Sequence, residues 1–87
     1  MITEHAICAL PADHRDWRHL VIRVQRRGSE DSWVLNHGNY YLVPDGEWSP
    51  DRSAALRFDE HLALEVAEHW AERVEVNGLT AFDLLNR

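Results

Sequence analysis

The sequence predicts an α+β fold: an antiparallel β-meander of three to five strands packed against one main amphipathic helix, in a single domain over residues 1–87. Three observations carry that expectation. Phe58–Val74 places apolar side chains at three- and four-residue spacing, the period of one helix face. Residues 19–27 (HLVIRVQRR) alternate apolar and polar side chains, the period of a half-buried strand. Downstream, short β-prone runs are separated by turn sequences at Gly28–Asp31 and Pro44–Gly46, as in a meander.

Taken in order, residues 2–10 (ITEHAICAL) admit two readings. Thr3 can cap a short helix that ends before Pro11, or Ala6, Cys8 and Leu10 can form the inner face of a strand; the strand is preferred. Pro11–Arg18 is polar and turn-rich, with Trp17 as its one large apolar anchor. In the strand that follows, Leu20, Ile22 and Val24 face one way and Val21, Arg23 and Gln25 the other. Gly28–Asp31 connects to a returning strand, Ser32–Asn36, which His37-Gly38-Asn39 breaks or bulges before Tyr40–Val43 resumes it. Pro44-Asp45-Gly46 turns the chain, Glu47-Trp48 is a short stub, Ser49–Ser53 is a loop, and Ala54–Phe58 is a last edge strand.

Asp59 stands at the N-cap of the main helix, and Glu60 suits the positive end of its dipole. Leu62, Ala63, Val66, Ala67, Trp70 and Val74 form the predicted core stripe, with Trp70 as its largest group. His61, Glu65, Glu68 and Glu72 fall on the opposite side. After Val74 either a short strand runs to Val76 or the helix continues to an Asn77-Gly78 C-cap. Thr80 and Asp83 have capping-box spacing for a terminal helix, Ala81–Asn86, with Phe82 and Leu85 inward.

An apolar share of 45% with 28% charged residues describes a globular chain rather than a disordered one. Four tryptophans can supply much of so small a core. Cys8 is the lone cysteine, so no intramolecular disulfide forms and a reducing compartment fits. With no signal-peptide pattern and no run of about 20 apolar residues, the expectation is a cytoplasmic protein without membrane association.

Charge is distributed unevenly. Residues 1–43 balance five acids with five arginines, whereas residues 44–87 carry ten acids against four arginines and hold the whole net charge of −6. Such an acidic half disfavours general binding to nucleic-acid phosphates and favours a partner with a basic surface. Arg18, Arg23 and Arg27, with Trp17 and Tyr41, offer the alternative: a basic sheet face with stacking aromatics for nucleic acid.

Sites for chemistry are sparse. His61, Glu65 and His69 share one side of the helix, but the outer two lie roughly 12 Å apart along the axis, too far to hold one ion. The series His5, Cys8, His14, His19 has zinc-ligand types without a zinc-site spacing beyond His5-x-x-Cys8. No nucleophile elbow, Gly-rich phosphate loop or Cys-His signature is present, so the expectation is no enzyme, no metal and no cofactor.

The stretch YYLVPDGEW (residues 40–48), followed by Phe58-Asp59 and a helix bearing Ala63 and Ala67, resembles small uncharacterised accessory proteins of phages and mobile elements in GC-rich bacteria. The likeness spans about half the chain and rests on turn and core residues. Anti-CRISPR proteins fall in the same size and charge class without a shared motif. What the resemblance implies is an accessory protein that acts by binding, as an inhibitor or regulator of a host protein. Its contact surface would be the acidic helix face, His61, Glu65, Glu68 and Glu72, able to mimic nucleic-acid phosphates in a basic groove. A small metal-dependent or hydrolytic enzyme is the third reading. The partner's identity and the oligomeric state stay open.

Overall fold

Alternation, turn chemistry and one helical stripe assemble here into a five-stranded antiparallel sheet. The computed structural model describes residues 4–28 and 32–86, so Thr3 and all but Gly28 of the Gly28–Asp31 connection lie outside the described residues. Strands β1 (Glu4–Ile7), β2 (Ile22–Arg26), β3 (Trp33–His37), β4 (Tyr40–Leu42) and β5 (Trp48–Ser49) lie side by side in chain order. Three helices, α1 (Trp17–Leu20), α2 (Glu60–Ala71) and α3 (Ala81–Leu85), complete the fold with a 3-10 turn at Arg52–Ala54. Helix α2 lies against β1, β2 and β3, which makes an α+β meander with one principal helix.

Register decides which side chains reach the core. His5 pairs with Val24 and Ile7 with Ile22, so these point toward α2. Ala6 pairs with Arg23 on the far side and is exposed, which corrects its placement on the inner face of β1. Ile22 and Val24 are fully buried as their alternation requires, and Leu20 is fully buried beside them. Leu20, however, ends α1 rather than lying in the strand, because Val21 caps that helix by donating to the Trp17 carbonyl at 2.9 Å.

Two glycine-containing connections resolve open readings. His37 pairs directly with Tyr40, so of the break and the bulge the break holds, and Gly38-Asn39 reverses the chain outright. Gly38 has φ +63°, the first-position glycine of a two-residue hairpin turn. Further on, Asn77 (φ 53°) and Gly78 (φ 77°) form a tight turn in which Val76 and Leu79 exchange both backbone hydrogen bonds, at 2.9 and 3.0 Å. Two successive positive φ values belong to a type I′ turn, not a helix C-cap. Helix α2 therefore ends at Ala71, and Val76 makes a single bridge rather than a strand.

The segment Ala54–Phe58 is likewise not a full edge strand. Leu56 donates to the Leu42 carbonyl at 2.9 Å, and Phe58 exchanges two 2.9 Å bonds with Trp33. It thus satisfies β3 beyond the point where β4 turns away at Pro44.

Asp59 caps α2 as the sequence predicts, its carboxylate accepting from the Leu62 amide at 2.8 Å. The buried stripe is Ala63, Ala67 and Ala71, continued by Val74. Leu62 is 43% exposed, while Leu64, Val66 and Trp70 pack along the flanks. Relative to the predicted stripe the helix is rotated by roughly 50°, at about 100° per residue. Alanine permits the rotation, because small side chains let the helix axis settle close to the sheet. Trp70 is accordingly a partly buried flank residue, stacked edge-on against Trp48 at 5.7 Å, and not the centre of the core.

Both reciprocal bonds of the predicted Thr80–Asp83 capping box are present in α3. The inward residues are Ala81 and Leu84; Phe82 and Leu85 face out, a correction of one residue in phase.

Candidate protein-binding surface

The outer side of α2 follows from its rotation. With alanines turned to the sheet, His61, Glu65, Glu68 and Glu72 all project into solvent. His61 meets Glu65 at 3.1 Å across one helical turn, between two exposed side chains. Among the described residues, neither Glu68 nor Glu72 has an ion-pair partner. Arg73, the nearest arginine in sequence, spends its guanidinium on the His69 carbonyl at 2.7 Å, closing the helix C-terminus. Like charges four residues apart repel by about 0.2–0.5 kcal/mol, so Glu68 and Glu72 carry a strain that a cationic partner would relieve.

Beside this row lies an apolar cleft that sequence periodicity missed. Ala9, Glu72, Ala81, Phe82 and Leu85 line about 450 Å³ of space. Phe82 is 72% exposed and Leu85 51% exposed, large apolar side chains left in water at the cleft edge. Glu72 belongs to both the acidic row and the cleft, joining them into one surface. The missed signal is weak by nature: a five-residue helix gives 81/84 and 82/85 equal claim to the core.

The alternative arginine face assembles in part. Trp17 packs against the core. Arg18 is exposed on α1, whose His19 carbonyl contacts His37 at 2.9 Å, near the Gly38 end of the sheet. Arg23 pairs with Glu4 at 3.5 Å. Arg27 lies four residues further along the chain, roughly 13 Å in an extended strand. Its guanidinium sits 5.6 Å from the Tyr41 ring centroid and donates to the Tyr41 hydroxyl at 3.4 Å. Arg27 and Tyr41 are thus brought together, and Arg23 shares their sheet face through the Arg23–Asn36–Tyr41 cross-strand row, while Arg18 sits on α1 and Trp17 packs against the core.

His5 and His14 serve structure. His5 bonds Glu60 at 2.8 Å and lies 5.4 Å from the Trp33 ring, tying β1 to the start of α2. His14 accepts from the Asp16 amide at 3.1 Å. Among the described residues no three of His, Cys, Asp or Glu converge as a metal site. Burial pushes the Cys8 thiol up from its ordinary range, partly offset by the Leu10 amide donating to sulfur. Among the described residues no helix is long and apolar enough to cross a membrane. No protein-family model, curated protein or solved structure matches the chain.

Proposed function

We propose that this chain is a cytoplasmic, non-enzymatic protein-binding module that captures a partner with a basic surface through the acidic side of α2. Its role is that of an inhibitor or regulator of a host protein, in the manner of small phage accessory proteins. The observation that carries the reading is Glu72, which stands in the acidic row and in the Phe82–Leu85 cleft at once. Charge steers encounter and selects the partner, while a desolvated apolar anchor supplies residence time. An acidic row alone is an ordinary solvated helix face; joined to two exposed apolar side chains it becomes an interface. A basic partner fits better than a second copy, because two copies would set the same unpaired carboxylates against each other.

The test compares wild type with two variants, Glu65→Arg/Glu68→Arg/Glu72→Arg and Phe82→Ser/Leu85→Ser. All altered side chains are exposed, so far-UV CD should be retained in both. A partner recovered from host lysate is purified and its binding measured at low and moderate salt. Charge reversal should abolish binding, and the apolar variant should weaken it with a faster off-rate. Wild-type affinity should fall as salt rises. If both variants bind the purified partner as wild type does, at either salt, this surface is only a solubilising one.

A further inference from the structure

One flank of α2 is left half-covered, and its side chains are arranged symmetrically. Asp59, Leu62, Val66, Trp70 and Arg73 follow one another at spacings of three, four, four and three residues. At about 100° per residue they fall within an arc of roughly 80° on one side of the helix. Val66 is the midpoint, seven residues from an acid at one end and seven from a base at the other. Asp59 and Arg73 are exposed, Leu62 is 43% exposed, and Val66 and Trp70 are partly buried. Helical geometry runs far enough past Ala71 to keep Arg73 in the row, since the Val74 amide still donates to the Trp70 carbonyl at 2.9 Å. Neither end charge is neutralised within the chain. The Asp59 carboxylate accepts from the Leu62 amide through one oxygen, and Arg73 donates to the His69 carbonyl through one nitrogen. Among the described residues neither has an ion-pair partner.

We propose that this row is a homodimer contact, in which α2 packs antiparallel against α2 of a second copy about a two-fold axis at Val66. An isologous contact pairs residue i with j and j with i, so it needs a self-complementary surface. Reversal of the row supplies one: Val66 meets Val66, Leu62 meets Trp70, and Asp59 meets Arg73 at both ends. The positive N-terminal end of each helix dipole then lies beside the negative C-terminal end of the other. A parallel pair would instead set Asp59 against Asp59 and Arg73 against Arg73, like charge on like. The ends also select the occupant. An acid and a base roughly 21 Å apart, at 1.5 Å per residue, match a reversed copy of the same row, whereas a purely basic partner would be repelled at Arg73. Glu65, Glu68 and Glu72 lie on average roughly 130° further round the helix, so they face away from this contact and the dimer displays two acidic rows. Five side chains per copy are few beside the roughly 20–30 residues a side of a standard interface, so the dimer is a weak one, dissociating in the micromolar range. This contact is independent of the basic partner proposed for the acidic side.

Sedimentation equilibrium of the full chain, from micromolar to millimolar concentration, reads the association directly. Wild type should pass from monomer to dimer over that range and go no further. Arg73→Asp sets carboxylate against carboxylate at both ends of the contact and should weaken association about tenfold or more. Asp59→Arg sets guanidinium against guanidinium and should do the same. Mixed one to one, the two variants should associate about as tightly as wild type, because each aspartate then faces an arginine at both ends. Asp59→Arg also removes the cap of α2, so helix content is followed by far-UV CD. Asp59→Ser keeps a capping oxygen without the charge and should weaken association less than Asp59→Arg. Leu62→Glu, an exposed change that suits the first turn of a helix, should hold the chain monomeric. A wild type that stays monomeric at millimolar concentration would overturn the proposal, as would dimers whose dissociation constant neither Arg73→Asp nor Leu62→Glu changes. Folded variants that fail to rescue each other on mixing would refute the antiparallel pairing. The measurement needs no other protein, so its failure leaves the acidic row and its partner untouched.

Discussion

Replacing Ala67 with leucine should destabilise this domain even though it adds apolar surface. Ala67 is fully buried at the middle of the alanine stripe, on the helix that lies against β2 and β3. The same core cluster contains Ile22, Val24 and Leu35, each with no accessible surface. Given room, three added carbons would stabilise by about 0.8 kcal/mol each. Close packing leaves none, and forcing them in typically costs about 1–3 kcal/mol through displaced backbone and strained rotamers. For a domain of this length each kcal/mol moves the melting temperature by about 4–8 °C, so Ala67→Leu should melt roughly 5–20 °C lower. The control is Leu62→Ala. At 43% exposure Leu62 retains little more than half the value of full burial, and its removal opens no closed cavity. It should cost only about 1 kcal/mol. Thermal and guanidinium unfolding followed by far-UV CD would rank the two. If Ala67→Leu melts at or above wild type while Leu62→Ala melts much lower, the helix sits on its Leu62 face and the rotation described above is wrong.

Other expectations follow from single residues. Gly78→Ala should lower stability by about 1 kcal/mol, read as a lower midpoint in guanidinium. Its φ of +77° is strained for any L-residue, although a Cβ there would meet no atom within 4 Å. The Cys8 thiol, raised by burial, should alkylate more slowly in the native protein than in urea at mildly alkaline pH. A raised folded-state value means that the neutral thiol stabilises the fold fully below the ordinary thiol range. That contribution is lost as pH rises through the folded value. Wild type should therefore lose melting temperature more steeply than Cys8→Ala across the alkaline range, and parallel curves would contradict the burial.

Much of the architecture is local and hence legible in the chain. Asp59 and the Thr80–Asp83 pair cap their helices through bonds that span three residues, so spacing alone identifies them. Alternation of Ile22 and Val24, the turn at Pro44–Gly46 and the outward acids of α2 are also properties of a few neighbouring residues. What escaped is whatever depends on a second element. The rotation of α2 is set by how closely Ala63, Ala67 and Ala71 approach the sheet, and Leu62 carries no mark saying it will be left out. Asn77-Gly78 suits a helix end and a type I′ turn equally, since both need positive φ; the bonds between Val76 and Leu79 decide.

The surface features divide along the same line. Charge at Glu65, Glu68 and Glu72 is written in one helical repeat and needs no tertiary information to be seen as a patch. The apolar cleft that gives the patch an anchor joins Ala9 to Glu72 and Phe82, more than sixty residues away in the chain. Arg52 joins Arg26 and Arg27 only because the 3-10 turn folds back against β4. Sequence alone determines periodicity, caps and the sum of charge, because each is a sum over neighbours in the chain. Which apolar residues stay in water, and which arginines share a cleft, are decided by long-range packing, where side chains compete for a core too small to hold them all.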